Sequence, residues 1–350
     1  MPHIARSAVV VHMGLPKTGT TFLQDHVFRT CDQIADFGKT SSYKTERPEV
    51  DPALRMIATV SDEEFRSRLS SVRELLMREA EEAGARNPGP SVPLLSYEGF
   101  FRPKAIHPIE IYGRLESIFG TVRVLLTIRQ QFDLITSWYL YRFYNFLQAG
   151  APSFEVWATK RLQKRSAWNL FHCCDYWPVI KQLVARAGDG NVLVEPMEGL
   201  IRGADPEALG RLADFLAVDR DALSEAFTRA KPEKQRIDQL GFLLGRALYE
   251  SGKAGLSDEE ILQMKRLFRK VHSRLESKQQ KADIALDVVA RCFTDAQRAA
   301  IKDGNSALSK YLGRDLARFG YPVREVLEGT SSADAGNGSA YGAEIPVKFA

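Results

Sequence analysis

Between His12 and Gln24 the chain reads His-Met-Gly-Leu-Pro-Lys-Thr-Gly-Thr-Thr-Phe-Leu-Gln, directly after the apolar run Ala8-Val9-Val10-Val11. Glycines, threonine hydroxyls and a lysine set this close together are the groups that hold an oxyanion. A β-branched run, then Gly14, Pro16 and Gly19, then an apolar-periodic stretch from Phe22 spells strand, tight loop and helix start. At such a junction the loop amides and the positive end of the helix dipole converge, and an anion replaces the missing intrahelical acceptors. Thr20 and Thr21 add hydroxyl donors and Lys17 adds a mobile point charge. The stretch is a phosphate cradle.

The place of the lysine decides which phosphate chemistry the cradle serves. In the nucleotide-triphosphatase loop, G-x-x-x-x-G-K-[ST], the lysine follows the second glycine and the next hydroxyl holds magnesium. Gly14 and Gly19 keep that spacing, but Thr20 stands where the lysine belongs and Lys17 lies ahead of Gly19. Pro16-Lys17-Thr18-Gly19-Thr20-Thr21 resembles the 5′-phosphosulfate-binding loop of sulfotransferases that use 3′-phosphoadenosine-5′-phosphosulfate (PAPS), whose signature is P-K-[ST]-G-[ST]-[ST]. All six positions match. The resemblance implies that these six residues bind the cofactor and that no metal is needed.

A second segment follows the strongest strand pattern in the chain, Val122-Arg123-Val124-Leu125-Leu126-Thr127-Ile128. Arg129 ends that strand and Ser137 stands about two turns into the helix after it. The pair resembles the same family's 3′-phosphate-binding segment, in which a guanidinium fork and a serine hydroxyl grip one phosphate. A third strand pattern, Val92 to Ser96, ends in Tyr97-Glu98-Gly99. Strands alternating with helices give an α/β fold with a doubly wound parallel sheet, and ligands in such sheets sit at the carboxyl ends of the strands. The loops Met13 to Thr21, Tyr97 to Gly99 and Arg129 to Gln131 are therefore expected to face one crevice.

The resemblance implies sulfuryl transfer from PAPS to an acceptor hydroxyl or amine, leaving adenosine 3′,5′-bisphosphate. In-line attack throws negative charge onto the leaving phosphate oxygen, as phosphoryl transfer does, and Lys17 is the cation placed to follow it. A neutral hydroxyl also needs a base within hydrogen-bond reach. Glu98 holds the position where other family members place a histidine or glutamate base; His12 on the preceding strand and Glu46 after the first helix are the alternatives. Lys231, Lys234 and Arg236 form the counterpart of the family's basic loop over the cofactor, although the R-x-G-x-x-G-D-W-K stretch of the aryl-type enzymes is absent. The opening motif looks more like those of bacterial and glycosaminoglycan carbohydrate sulfotransferases, which implies a saccharide or other small-molecule acceptor.

The elements that must hold these residues are legible from capping and periodicity. A helix from Thr20 to about Phe28 should turn Phe22, Leu23 and Val27 inward, and Asp36 to Asp51 reads as irregular. Ser61-x-x-Glu64 opens a long helix with Phe65, Leu69, Val72 and Leu76 on one stripe. Further helices are expected near Ile109 to Phe119, over Cys174 to Ala187, and in a stretch ending at Asp214 to Val218, with a strand at Asn191 to Glu195. The aromatic stripe from Tyr139 to Trp157 reads as helix core, and Lys160-Arg161 with Lys164-Arg165 as a solvated face. Ser257-x-x-Glu260 and Thr294-x-x-Gln297 are capping boxes in a helical C-terminal portion spanning about 236–322.

Across 350 residues with 44% hydrophobic content and a net charge of +4, the composition is that of a globular protein without a nucleic-acid signature. One sulfotransferase-like domain over 1–328 and a flexible Gly/Ser/Ala tail over 329–350 are expected. The four cysteines have no metal-ligand spacing, and no run of about 18 apolar residues occurs, which points to a reducing cytoplasm. Two rival readings remain at this point. A P-loop kinase or nucleotide triphosphatase would want a lysine after Gly19 and a metal-binding carboxylate ending a strand, for which Glu195 is available. A nucleotide-binding protein without catalysis is the other.

Overall fold

The computed structural model describes residues 8–38, 47–145, 153–164, 168–203, 205–230 and 286–324, with isolated positions between 257 and 266. Five strands form one sheet: β1 (Val9–Gly14), β2 (Ile34–Asp36), β3 (Val92–Ser96), β4 (Val122–Ile128) and β5 (Val192–Pro196). They run in the order β2-β3-β1-β4-β5 with every pairing parallel. The chain leaves β1 for the far edge, returns through β3, then crosses β1 to β4 and β5. This is the doubly wound topology, and β1 lies at its switch point, where the crevice opens beyond the strand ends.

Both faces of the sheet are covered, so its strands are largely apolar, with His12, Asp36, Ser96, Arg123, Thr127 and Glu195 as their buried polar members. Along β1 the side chains alternate, with Val9, Val11 and Met13 in one core and Val10 in the other. The first core packs under α2 (Val50–Thr59), α3 (Asp62–Ala85), α4 (Pro108–Phe119), α5 (Gln131–Asn145), α6 (Phe154–Leu162), α7 (Leu170–Cys174) and α8 (Tyr176–Ala187). The second lies beneath the helix that begins at α1 (Thr20–Phe22), and beneath α10 (Ala208–Leu216) and α11 (Arg220–Arg229); the short α9 (Met197–Leu200) directly follows β5. From the C-terminal part, α12 (Leu286–Arg291) and α13 (Asp295–Leu312) add Val289, Ile301 and Leu308 to the first core.

The capping signals work as read. Ser61 Oγ accepts from Glu64 N at 3.2 Å, Thr294 and Gln297 cap reciprocally, and Ser257 and Glu260 do the same. Tyr139, Phe154 and Trp157 form a buried aromatic cluster with centroids 5.2 to 6.4 Å apart.

Three expectations change. Residues 36–51 are not irregular at their ends: Asp36 closes the edge strand β2 and α2 begins at Val50. The helix expected over Cys174 to Ala187 is α8 and begins two residues later, at Tyr176, because Cys174 ends the short α7 before it. A further helix, α11, follows α10. Glu46, the basic trio Lys231, Lys234 and Arg236, and the tail 329–350 lie outside the described residues. Among the described residues no helix is long and apolar enough to cross a membrane.

Candidate functional site

The loop after β1 is shaped by two residues in the left-handed region, Lys17 at φ 78° and Gly19 at φ 82°. Alternating such residues with right-handed ones turns successive amides to one side and makes an anion-binding concavity. Gly19 is also the N-cap, and no side chain caps the helix it starts. The first intrahelical bond is Leu23 N to Gly19 O at 3.1 Å, so the helix end presents its first-turn amides to the crevice. From Leu23 to Phe28 the helix is wound as a π-helix, a form enriched at functional sites.

Gly14 is required by crowding. A Cβ there would lie 2.5 Å from Thr127 Oγ1 and 2.6 Å from Thr20 Cγ2, because Gly14 and Thr127 sit level in the β1–β4 register. Beneath the loop lies a closed polar network. His12 is fully buried, with Nδ1 2.7 Å from Ser96 Oγ and Nε2 3.1 Å from Thr127 Oγ1. Gln24 Nε2 donates to the same Ser96 hydroxyl at 2.9 Å. Thr18 Oγ1 donates to Leu15 O at 2.7 Å and meets Thr127 Oγ1 at 3.0 Å, while Thr18 N also bonds Leu15 O. Thr18 therefore closes the turn from within; its hydroxyl does not face the cradle.

Burial pushes the His12 imidazole down to about 3, which keeps it neutral, and both ring nitrogens are engaged inside the sheet. It positions the loop, and an acceptor hydroxyl has no access to it. A stability prediction follows from the sign of this shift. The folded pKa lies below the unfolded value of about 6.5, so the unfolded state binds the proton first and stability falls with pH by about 1.4 kcal/mol per unit below 6.5, until pH nears 3. Asp36 acts oppositely: burial raises its carboxyl to about 6, so it gains stability as pH falls from 6 toward its ordinary value. Urea unfolding of wild type and His12→Gln between pH 7 and 4 separates the two. The difference in slope belongs to the imidazole, and equal slopes would contradict its burial as a neutral group.

The other two loops close on the cradle. From β3, Glu98 begins a single 3₁₀ turn, Glu98–Phe101, and its Oε2 accepts from Thr20 Oγ1 at 3.3 Å. From β4, Arg129 is 6% exposed and its Nη1 donates to Lys17 O at 3.0 Å. The crevice expected from strand order is thus formed by contact: Glu98 on one side of the loop and Arg129 on the other.

Arg129 is held firmly. Nη2 donates to Asp133 Oδ2 at 3.2 Å, one turn on in α5, and Arg202 Nη2 reaches the same oxygen at 3.4 Å. Tyr176 OH donates to Arg129 O at 2.7 Å, and Glu198 Oε1 accepts from Gln130 N at 3.2 Å while its Oε2 accepts from Tyr321 OH. Gln131 and Asn305 exchange amide hydrogen bonds of 2.7 and 3.2 Å, which tie the β4 loop to α13. Ser137 is half-buried, one turn beyond Asp133 on the same helix face. Asp133, Arg202, Tyr176, Glu198, Tyr321 and Asn305 were not legible as site residues, since most meet Arg129 or its neighbours from far along the chain.

Glu195, the carboxylate that a triphosphatase would need, is committed elsewhere. It is fully buried; Arg211 Nε donates to Oε1 at 2.8 Å and Arg314 Nη1 to Oε2 at 2.8 Å. Asp205 joins the same cluster through Arg211 at 2.6 Å and Arg318 at 3.1 Å.

The loop, the strand-end arginine and the parallel sheet can be set beside known proteins. Solved structures similar to this chain are sulfotransferases. One from Alicyclobacillus acidocaldarius is 15% identical, with 71% of this chain and 96% of that one covered and a TM-score of 0.41. The sulfotransferase domain of the Synechococcus PCC 7002 olefin synthase is 13% identical over 77% of this chain and 97% of that one, at a TM-score of 0.38. Mouse sulfotransferase SULT7A1, solved in complex with PAP, is 11% identical over 90% of this chain and 87% of its own, at 0.33. No family model matches the chain, and no curated protein matches it.

Proposed function

We propose that the protein is a PAPS-dependent sulfotransferase acting on a hydroxyl of a small-molecule acceptor, with a saccharide as the favoured class. The observation that carries the reading is the contact between the two nucleotide-binding segments: Arg129 Nη1 bonds the Lys17 carbonyl at 3.0 Å, so a strand-end guanidinium flanks a cradle whose lysine precedes the second glycine. One adenosine bisphosphate can reach both ends of such a site. The uncapped helix start, the left-handed residues and the space kept clear at Gly14 fit a phosphate in the loop. The alternative of a metal-dependent triphosphatase lacks support, since Thr20 replaces its lysine and two guanidinia engage Glu195.

When bound, PAPS supplies the sulfuryl group and a phosphate oxygen as leaving group. Lys17 and the first-turn amides stabilise negative charge at the loop, where fixed dipoles need no reorganisation. Thr20 shares its hydroxyl hydrogen with Glu98 and so fixes the carboxylate at the cradle's edge. Glu98 takes the acceptor proton. Asp133 and Arg202 orient the Arg129 fork, which Ser137 complements at the 3′-phosphate.

The test is titration with adenosine 3′,5′-bisphosphate and with ATP, each with and without magnesium, followed by assay of PAPS turnover. Magnesium-independent binding of the bisphosphate is expected; tight binding only of magnesium-ATP would sink the proposal. Arg129→Ala is expected to weaken bisphosphate binding by about 10- to 100-fold, the worth of charged hydrogen bonds. Arg129→Lys should recover only part of it, because an ammonium lacks the fork. Unchanged affinity in the alanine variant would remove Arg129 from the nucleotide site.

A further inference from the structure

Strand β5 ends at Pro196, and the single turn α9 leads from it to Ile201 and Arg202. Ile201 N and Arg202 N both bond Met197 O, at 2.8 and 3.3 Å, which closes the turn and fixes the backbone of Arg202. The turn rests on the phosphate loop. A Cβ on Gly19 would run into Ile201 Cδ1 and would meet Met197 Cγ at 3.3 Å, so glycine is needed there for this close approach as well as for its left-handed φ. Arg202 is thereby anchored at the carboxyl end of the sheet, beside the loop that holds Lys17.

Its side chain is half-exposed and far less committed than the other arginines at the strand ends. Among the described residues its guanidinium has one acceptor, Asp133 Oδ2, at 3.4 Å, the long limit of a hydrogen bond. Arg211 and Arg314, by contrast, each engage both Glu195 and Asp205. Arg129 Nη2 donates to the same Asp133 oxygen at 3.2 Å while its Nη1 holds Lys17 O. Two guanidinia therefore converge on one carboxylate oxygen, although like charges so close repel. The next carboxylate, Glu198, has its oxygens engaged by Gln130 N and Tyr321 OH. Most of the N–H donors of Arg202 are left without a protein acceptor beside a buried fork of the same charge. A phosphate dianion bridging the two forks would take up those donors and offset the repulsion.

We propose that Arg202 is itself a nucleotide-binding residue, a second guanidinium that sets the preference for a 3′-phosphorylated nucleotide over one with a free 3′-hydroxyl. This rests on the reading of Arg129 as a phosphate fork and adds a contact that the sequence motifs do not contain. The bond to Asp133 is the resting position of Arg202. On binding, its side chain turns on the fixed backbone and donates to the phosphate oxygens that Arg129 and Ser137 leave open. A nucleotide without that phosphate leaves two charged forks facing one carboxylate, and a site built with such donors rejects the ligand that lacks their acceptor.

The test is calorimetry of the full chain with adenosine 3′,5′-bisphosphate and with adenosine 5′-monophosphate, on wild type, Arg202→Ala, Arg202→Gln, Arg129→Ala and the double variant Arg129→Ala/Arg202→Ala. Both Arg202 variants are expected to bind the bisphosphate about tenfold more weakly, the worth of charge-assisted hydrogen bonds, and the monophosphate within about twofold of wild type. Two single-site variants at a half-exposed position guard against a folding defect in either one. The double variant separates direct contact from positioning. If Arg202 touches the phosphate, its removal still costs most of that tenfold in the Arg129→Ala background; if it acts only by orienting Arg129, the second loss vanishes and the proposal is overturned. Equal losses for both nucleotides, or none, overturn it too. A wild type that does not prefer the bisphosphate fails the sulfotransferase reading itself. A wild type that prefers it, with the preference intact in Arg202→Ala and Arg202→Gln, overturns only the role of Arg202.

Discussion

Lys17→Met is expected to lower the rate of sulfuryl transfer by about 10²- to 10³-fold, the usual cost of removing one preorganised donor from a developing oxyanion. Bisphosphate affinity should fall much less, since the helix-start amides and Arg129 still hold the ground-state phosphates. The split between kcat and affinity is the point of the experiment. Methionine keeps a Cβ at φ 78°, so the backbone cost of this left-handed position is unchanged and the loop is not relaxed by the substitution. Measured PAPS turnover beside bisphosphate calorimetry decides it. Equal losses in both would make Lys17 a binding residue, and an unchanged rate would end its role in leaving-group stabilisation.

Much of the site was readable because its residues announce themselves locally. Gly14, Lys17 and Gly19 fall within one loop, and their φ angles and crowding follow from a strand turning directly into a helix. Arg129 and Ser137 are legible for the same reason, as a strand end and the helix after it. Thr18 was not: its hydroxyl faces inward only because Thr127 lies across β4, a partner 109 residues away. His12 was placed among the bases since a histidine before a phosphate loop looks reactive. Its neutrality comes from Ser96 and Thr127 on two flanking strands, and only the sheet order reveals that closure.

The strand β2 escaped notice on similar physical grounds. It is three residues long, too short for alternation to register, and it exists because Ile34, Ala35 and Asp36 pair with Val92, Pro93 and Leu94. The sheet would otherwise end at β3. Capping signals, by contrast, act within three residues, and Ser61, Ser257 and Thr294 all mark helix starts as read. Local chemistry was thus visible from the chain, and what fixes Arg129 from Tyr176, Glu198 and Arg202 was not.

Glu98→Gln is expected to reduce transfer to a hydroxyl acceptor by about 10²- to 10⁴-fold, the range supplied by a positioned general base. The amide is isosteric and still accepts from Thr20 Oγ1 through its oxygen, so the 3.3 Å contact and the cradle survive. Nucleotide affinity should therefore stay near wild type while kcat falls. The choice of acceptor separates a base from a structural carboxylate. An acceptor with a far more acidic hydroxyl, such as a nitrophenol, should lose much less, because it needs little help in shedding its proton. A full rate with both acceptors would pass the role to another group; His12 is closed off within the sheet, so Glu46 would be the next carboxylate to replace.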